Sequence, residues 1–406
     1  MNKLNKPLHG VRVLDFTQVW AGPYCTLLLA LGGAEVIKIE SEKRIDGSRS
    51  GSVTLGMICK TKNESAIFNV FNLGKKDITI NLSHPRGSWL AKEIAKVCDV
   101  AVENFRPGVM TKLGLDYEGL KEVRPDIVYL SSSCRGSTGP EWNYAGFAPS
   151  FSALGGLSYV TGHINGKPSV LTGRTDLLVG TTSYFAILAA LIYRSKTGKG
   201  QHIDISSSEV QSVLIGDMFM EYAMNNRNPQ RYGNRDSIMA PHNCYRCKGE
   251  DNWISIAVSS EEEWQALCCA MGKPELTEDD RFCDASSRKK NEDELDRIIS
   301  LWTTNYTHYE VMDILQQAGV AAAPSCNAQE VQDNPHVKER RVFTKITHPV
   351  IGEQEVIGTP WKLSTSSGNI PGYGPLFGEH NQYVFGELLG MSPEQIQGLV
   401  EEQVIY

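Results

Sequence analysis

The sequence lacks the excess of positive charge that a polyanion partner requires. Its 406 residues include 40 Lys and Arg against 47 Asp and Glu, which gives a net charge of −7. A chain with this balance has no large basic field for nucleic acid. A phosphate-bearing ligand must therefore be bound by a few local cations, or by backbone amides at the start of a helix. This favours a small-molecule partner.

The sequence also lacks the apolar segments that send a chain out of the cell or into a membrane. Its first residues, MNKLNKPLHGVRVLDF, pass from a polar start directly into a strand-like run, and we find no 18-residue membrane span farther along. We therefore predict a cytoplasmic protein without a membrane partner. The ten cysteines are scattered, which favours free thiols. The CxxC pair of Cys244 and Cys247 has no second pair or His set beside it, so we predict no metal site.

A third missing feature is the glycine pattern of nicotinamide-dependent enzymes. The expected first turn between strand and helix, TQVWAGP, lacks the GxGxxG spacing that lets a pyrophosphate approach the helix start. Nicotinamide binding is disfavoured for this reason. Glu40 ends the second predicted strand, where such enzymes bind a ribose, but a carboxylate at a strand end is common.

What the sequence does contain is an alternation of strand-like and helix-like segments over its first 140 residues. The strand-like segments are apolar and rich in β-branched residues: GVRVLDF, AEVIKIE, KKDITINL, DVAVENF and DIVYLSSS. A long apolar helix follows at 177–193, then the glycine-rich stop TGKGQ and the strand HIDIS. The pattern predicts an α/β fold with a doubly wound, open parallel sheet of the Rossmann-like type.

The composition and pattern of the chain change after this sheet, which indicates a second domain. Polar loops and charged helices dominate its middle, and extended segments return near its end. We expect a large ligand-binding domain to begin in residues 1–225 and a smaller α+β domain to occupy 226–325. Residues 326–406 are expected to return and complete the large domain.

Polar residues at the predicted strand ends suggest a phosphate-bearing ligand, because open parallel sheets usually bind ligands there. The segment ENFRPGVMTKLG places Asn104, Arg106 and Lys112 around a Pro-Gly turn. Arg135 follows another strand end, among glycines that expose backbone amides. Such cations and amides suit a diphosphate with a further phosphate, as in CoA, although a solvated loop with two chance cations has the same pattern.

Asp176, in the segment LTGRTDLLVG, stands directly before the long apolar helix. Asp is a favoured helix N-cap, so a structural role explains its presence. The positive end of the helix would also keep a nucleophilic carboxylate ionised. The residues alone leave the cap and the nucleophile as open alternatives.

Six motifs in order resemble one family over nearly the whole chain. They are VRVLDFTQVWAGP, AEVIKIE, ENFRPGVMTKLGL, GRTDLLVG with ILAAL, TGKGQHIDIS and PLFGEHN. These motifs are similar to those of the family III CoA-transferases, typified by formyl-CoA transferase and carnitine CoA-transferase. The resemblance implies that Asp176 is a covalent nucleophile. It also implies an interlocked homodimer, or pairing with a related second subunit.

The resemblance further implies CoA contacts from loops at the strand ends. Matched motif by motif, the contacts are Trp20, Ala21, Ile80, Asn81, Leu82, Ser83, Asn104, Phe105, Arg106, Lys112, Arg135, Gly136, Ser137 and Thr138. Some members have an Arg after the Glu of AEVIKIE; this chain has Ser41, with Lys43 and Arg44 close enough to substitute. MAPHNCYRCKG stands where formyl-CoA transferase has a glycine-rich loop. The sequence therefore does not identify the segment that shields the intermediate.

The implied reaction moves CoA from an acyl-CoA donor to a free carboxylic acid, through an anhydride and a thioester on Asp176. CoA thioester is then a substrate, and no permanently bound cofactor is expected. The alternative in the same fold is 2-methylacyl-CoA racemase, whose members carry a His soon after the Gly-Pro pair. Phe147 stands at that position, and its ring cannot exchange a proton. Neither acid follows from the sequence, although Trp20, Tyr144 and Phe147 hint at an aromatic or bulky acceptor.

Overall fold

Six parallel strands form the central sheet of the protein, whose computed structural model describes residues 6–50, 61–366, 368 and 370–406. In chain order they are β1 (Arg12–Asp15), β2 (Glu35–Glu40), β3 (Lys76–Thr79), β4 (Val100–Glu103), β5 (Val128–Ser133) and β6 (Gln201–Ser206). Their spatial order is β3-β2-β1-β4-β5-β6, so the winding direction reverses between β1 and β4. This topology confirms the predicted doubly wound α/β fold.

Both faces of the sheet are covered by helices, which explains why its strands are apolar without alternation. Val13 of β1 lies between Val36 of β2 and Val100 of β4, and all three side chains are buried. The helices up to residue 225 are α1 (Ala21–Leu31), α2 (Ala66–Phe71), α3 (Pro85–Ala95), α4 (Val109–Leu113), α5 (Tyr117–Lys121), α6 (Ala148–Leu154), α7 (Leu157–Val160), α8 (Arg174–Thr197), α9 (Ser207–Val213) and α10 (Gly216–Asn225).

The chain divides into two compact units. The first unit combines the chain up to Ser158 with Val170–Met220 and Arg340–Tyr406, and the second combines Tyr159–Ser169 with Glu221–Glu339. The segment Tyr159–Ser169 has no counterpart in the ranges expected from the sequence, and the return to the first unit comes later than residue 326. Cys59, one of the ten cysteines expected as free thiols, lies outside the described residues.

The second unit has a three-stranded antiparallel sheet in the order β7-β8-β9, formed by β7 (His242–Arg246), β8 (Trp253–Ala257) and β9 (Ala321–Pro324). Its helices are α11 (Glu261–Ala270), α12 (Ala285–Lys290), α13 (Glu292–Thr303), α14 (His308–Gln317), α15 (Ala328–Asp333) and α16 (Pro335–Glu339), with a 3₁₀ turn at Pro274–Thr277. Ile254, Trp264 and Leu295 belong to its own buried core. A separate core is what an independent compact unit requires.

The end of the chain returns to the first unit. It forms the hairpin of β10 (Phe343–His348) and β11 (Gly352–Ile357), a π-helical segment at Gln382–Leu388, and α17 (Pro393–Glu401). Thr79 N–H at the end of β3 donates to Asn381 Oδ1 at 2.9 Å. Gly378 N–H donates to Asp77 Oδ1 at 2.6 Å. These two bonds attach the motif PLFGEHN to the edge strand of the sheet.

Helices α1 and α8 pack closely because a glycine stands at their contact. A Cβ atom on Gly180 would lie 2.7 Å from the carbonyl oxygen of Ala21, so a larger residue would push the helices apart. Farther along, Ile187 and Ala190 of α8 share a buried core with Cys25 of α1. The start of α1 therefore lies against the second turn of α8.

The length and composition of α8 correct one expectation from the sequence. An 18-residue window of this helix has a mean hydropathy of 1.6, and 28% of the window is buried, so α8 is long and apolar enough to cross a membrane. The core helix of a soluble protein passes the same test. One face of α8 packs on α1, and another leaves Phe185 72% exposed. The chain thus contains a segment of span length, which the sequence had not indicated.

Candidate active site

The turns after β1 and β4 meet at the point where the winding of the sheet reverses. Gln18 N–H donates to Asn104 Oδ1 at 2.9 Å, and Asn104 Nδ2 donates to Gln18 O at 2.8 Å. Asn104 therefore holds the backbone of the first turn between strand and helix. Two of the four loops predicted to contact CoA are joined here, at the usual ligand position of such sheets.

Trp20 lies against the start of α8. A Cβ atom on Gly173, the N-cap of α8, would lie 2.3 Å from Cζ3 of the Trp20 ring, so glycine is needed for this contact. The opposite neighbour of the indole is Phe71, with ring centroids 5.2 Å apart. The loop after β1 and the first turn of α8, which carries Asp176, thus form one corner.

Asp176 lies inside the first turn of α8 rather than before the helix. The helix begins at Arg174 with Gly173 as N-cap, so the interpretation of Asp176 as an N-cap is wrong. Burial raises the pKa of the Asp176 carboxyl to about 7, because a desolvated carboxylate loses hydration. This shift is opposite in direction to the one expected from the field of the helix end, which favours the ionised carboxylate.

A cavity of about 620 Å³ opens beside the turn after β4. Four of the predicted CoA contacts line it, namely Phe105, Arg106, Lys112 and Ser137. Arg106 and Lys112 are exposed cations at this cavity. The size is typical of a small-molecule site, and the two cations suit an anionic ligand.

A buried carboxyl, Glu103, lines the same cavity and was missed by the sequence analysis. Burial raises the pKa of Glu103 to about 7, while Phe105 N–H donates to its Oε2 at 2.8 Å. Ser131, which hydrogen-bonds Glu103, has its Oγ 3.0 Å from His202 Nε2. The available signal was a carboxylate ending the otherwise apolar strand VAVE.

The predicted residues Arg135 to Thr138 lie in the turn after β5 and differ in their hydrogen-bond partners and exposure. Arg135 already has protein partners: it donates to Ser208 Oγ at 2.9 Å and pairs with Glu141 at 2.6 Å. Ser137 N–H donates to Asp204 Oδ2 at 2.8 Å, and Thr138 is exposed. Gly136 has a φ of 82°, which a residue with a Cβ rarely adopts. Arg135 would have to exchange partners to bind a phosphate.

The turn after β3 holds the predicted segment Ile80 to Ser83. Ile80 is fully buried in the core, and Leu82 packs against that core. Asn81 N–H donates to Val404 O at 2.7 Å, and Ser83 N–H donates to Asn81 Oδ1 at 3.2 Å. The side chain of Ile80 faces the protein interior, so a ligand would meet the backbone of this turn or Ser83.

Arg44 supplies a cation close to Ser41, the position at which the resemblance implied an Arg in some members of the family. Its guanidinium lies over the ring of Phe105, 5.7 Å from the centroid. Phe105 lines the 620 Å³ cavity. Of the two candidates to substitute for the missing Arg, Lys43 and Arg44, the structure thus brings Arg44 to a predicted CoA contact.

Phe147 is the N-cap residue of α6 and is 72% exposed. Its ring carries no group that can accept or donate a proton. The position that holds a His in the racemases therefore has no base in this chain.

Comparison with known proteins identifies the family that the chain resembles. The family model described as CoA-transferase family III matches residues 8–381. The chain is 33% identical over 401 residues to a succinyl-CoA–D-citramalate CoA-transferase from Chloroflexus aurantiacus, covering 98% of each chain. It is 32% identical to the succinyl-CoA:glutarate CoA-transferase of Homo sapiens, covering 100% of this chain and 91% of that one. A CAIB/BAIF family protein from Brucella suis matches with a TM-score of 0.85 and 30% identity, covering 95% of this chain and 100% of that one.

Proposed function

The chain belongs to CoA-transferase family III, whose members move CoA between carboxylic acids, and we propose that Asp176 is the covalent nucleophile of this transfer. One observation carries the proposal. Asp176 is a partly buried carboxyl in the first turn of α8, in the corner formed with Trp20, and burial raises its pKa to about 7. Perturbed carboxyls in such places are typical of functional sites.

A carboxylate at this position divides the exchange into steps that each break one acyl bond. Asp176 attacks the thioester carbonyl of the donor, forms a mixed anhydride and releases CoA thiolate. The thiolate then attacks the Asp176 carbonyl, displaces the donor acid and leaves an aspartyl-CoA thioester. The acceptor carboxylate attacks that thioester, and the released thiolate takes the acceptor acyl group from the new anhydride, which restores Asp176.

The start of α1 supplies groups that suit this chemistry. The helix begins at Ala21 and its N-cap, Trp20, makes no side-chain cap bond, so first-turn N–H groups remain unused by the helix. Such donors stabilise the negative oxygen that develops at a reacting carbonyl. Partial burial of Asp176 also limits water, which would hydrolyse both the anhydride and the thioester.

The phosphates of CoA are proposed to bind at the cavity beside the turn after β4. Arg106 and Lys112 line this cavity, and Arg44 lies over Phe105 at its wall. The two lining cations, with Arg44 beside Phe105, suit the diphosphate and the further phosphate of CoA. CoA is therefore a substrate held by local charges, as the negative net charge of the chain requires.

The relatives favour particular acids for both half-reactions. Their names give succinyl-CoA as the donor, with D-citramalate or glutarate as the acceptor. We propose succinyl-CoA as donor and a dicarboxylic acid as acceptor, in preference to the aromatic or bulky acid suggested by the sequence. Trp20, the principal support for a bulky acid, is engaged with Phe71 and Gly173.

A second copy of the chain is proposed to cover the exposed apolar residues of the first unit. Phe185 of α8 and Val213 of α9 are 72% and 81% exposed. Large exposed apolar patches are typical of protein interfaces. The interlocked homodimer implied by the resemblance explains this surface, and sedimentation of the purified protein should show a dimer. The cytoplasmic location stays a prediction.

Chemical trapping tests the nucleophile directly. The protein is incubated with succinyl-CoA, treated with hydroxylamine or borohydride, and digested for mass mapping. Label should appear on the peptide with Asp176, and the Asp176→Asn variant should stay unlabelled. Label on another carboxyl, or equal label in the variant, would refute the proposed nucleophile. Exchange of the α-proton of a 2-methylacyl-CoA with solvent deuterium would instead favour the racemase.

A further inference from the structure

The loop after β1 has its backbone polar groups tied to side chains from outside the loop. Asp15 Oδ1 accepts from Thr17 N–H at 2.8 Å, and Lys38 Nζ donates to Thr17 O at 2.6 Å. The backbone N–H and C=O of the next residue, Gln18, are both held by Asn104, and Asp46 Oδ1 accepts from Val19 N–H at 3.1 Å. Turns of this length do not ordinarily need so many partners, because loop backbone is usually solvated.

The partners coincide with an unfavourable backbone conformation. Val19 has a φ of 71°, in the left-handed region, where a β-branched side chain is strained. Strain of this kind persists only where the surroundings over-determine it, and it clusters at functional sites. Val19 immediately precedes Trp20, the residue that contacts Gly173 at the start of α8.

Two of the partners form an ion pair without solvent exposure. Lys38 Nζ lies 3.4 Å from Asp46 Oδ2, and neither side chain is exposed. Asp46 Oδ1 also accepts from the N–H and the hydroxyl of Ser48, at 2.8 and 2.7 Å. Asp46 is therefore held rigidly while it holds Val19.

The charges around this pair come from every strand nearby. Burial by itself would lower the pKa of Lys38, but Asp46, Asp15, Glu40 and Asp77 raise it above its ordinary value. Lys38 is accordingly a cation in the folded protein. Its bond to Thr17 O is charge-assisted, and such bonds are shorter and stronger than neutral ones.

We propose that Asp46, together with Lys38, is a positioning residue for CoA transfer: it holds Val19 in its strained conformation and so sets Trp20 and the first turn of α1 against Asp176. The inference rests on the proposed role of Asp176. Asp46 lies under the loop and touches no substrate. Its effect passes through the Val19 backbone to Trp20, and from Trp20 through Gly173 to the first turn of α8.

The test compares Asp46→Asn with a matched buried carboxyl. Asp77→Asn serves as the control, because Asp77 is also fully buried and also raises the pKa of Lys38, but its bonds go to Arg49, Glu40 and Gly378 rather than to the loop. A misplacement of about 1 Å can cost about 100-fold in rate, so kcat of Asp46→Asn should fall by about that factor. The KM for succinyl-CoA should change little, and Asp77→Asn should keep kcat near the wild-type value.

Hydrogen–deuterium exchange supplies a readout that does not depend on activity. Amides of residues 17–20 should exchange faster in Asp46→Asn and at the wild-type rate in Asp77→Asn. Adding Val19→Gly to Asp46→Asn removes the penalty of the left-handed conformation and should recover about tenfold in kcat. Should Asp46→Asn fold poorly, adding Lys38→Met removes the unpaired buried charge, restores stability and leaves kcat low.

Three results would overturn the inference. They are a wild-type kcat and loop protection in Asp46→Asn, an equal loss in Asp77→Asn, and no recovery with Val19→Gly. A different result would refute the proposed function itself, namely turnover by Asp176→Asn. An inactive Asp176→Asn beside a fully active Asp46→Asn would leave the nucleophile standing and refute the positioning role alone.

Discussion

Two sets of desolvated carboxyls lie near the turn after β1, the pair of Asp15 and Asp46 and the single Asp176, and they differ in their partners. Beneath the turn, Asp15 pairs with Lys75 at 3.1 Å and accepts from Thr17 and Thr26, while Asp46 pairs with Lys38. Above it, Asp176 has no cation among the causes of its pKa shift. Burial would raise the pKa of Asp15, but Lys75, Lys38 and the two hydroxyls hold it below its ordinary value.

The difference distinguishes a carboxylate that stabilises the fold from one that is kept for reaction. A buried charge with a cation and full hydrogen bonds is locked in one geometry. A carboxyl that is desolvated without a cation is destabilised as an anion. Its free energy therefore falls when it forms a bond that removes the charge. Asp15 and Asp46 therefore support the loop, whereas the environment of Asp176 suits the nucleophilic role that we propose for it.

Removing the unpaired carboxylate should have the largest effect on activity. Asp176→Asn keeps the shape of the side chain but cannot form an anhydride, so kcat should fall by about 10⁴ or more. Steady-state turnover with succinyl-CoA and glutarate measures this loss. A fully active Asn variant would end the covalent mechanism.

The same variant should not lose stability. The folded pKa of Asp176 is above its unfolded value, so the folded state binds the proton more tightly, and its stability relative to the unfolded chain falls as pH rises toward about 7. At pH 8 the ionised Asp176 carboxylate therefore destabilises the folded state, and an Asn side chain does not. Asp176→Asn should unfold at a temperature no lower than the wild type at that pH, which scanning calorimetry would check.

Removing a paired carboxylate should reduce stability more than it reduces turnover. Asp15→Asn leaves Lys75 buried without its anion, and we expect the free energy of unfolding to fall by about 3 kcal/mol. Denaturant unfolding at pH 7 measures this change. Equal stability of Asp15→Asn and wild type would erase the distinction between the two sets.

The pH dependence of the wild type should report the unpaired carboxyl. Because the pKa of Asp176 is about 7, the reactive carboxylate is lost as pH falls below that value. The value of kcat/KM should then fall by about tenfold per pH unit. A profile that stays flat down to about pH 5 would show that the carboxyl remains ionised in the working enzyme.

The smallest predicted effect concerns the cations at the cavity, which lie outside both sets. Lys112→Ala should raise the KM for succinyl-CoA by about tenfold while kcat stays close to normal, since phosphate contacts far from the thioester contribute uniform binding. Arg135→Ala should do less, because Arg135 is engaged with Glu141 and Ser208. An unchanged CoA affinity in Lys112→Ala would refute the proposed phosphate site.

Much of the fold was predictable because its strands are short and apolar and its helices end at recognisable signals. The glycine of TGKGQ ends α8 at Gly198, with a φ of 71°, and the strand HIDIS follows as β6. The start of α8 was not predictable to the residue. Gly173 and Arg174 do not look like a cap and a first helical residue, and the contact of Gly173 with Trp20 accounts for this glycine.

The sequence by itself determined the family, the α/β alternation and the identity of the candidate nucleophile, since each depends on motifs whose residues are close together in the chain. Only the tertiary structure decided how these residues act. It pairs Asp15 with Lys75, 60 residues farther along the chain, ties Gln18 to Asn104 over 86 residues, and desolvates Asp176 enough to raise its pKa to about 7. Ion pairs and desolvation depend on distances between segments far apart in the chain, and no local pattern of residues specifies those distances.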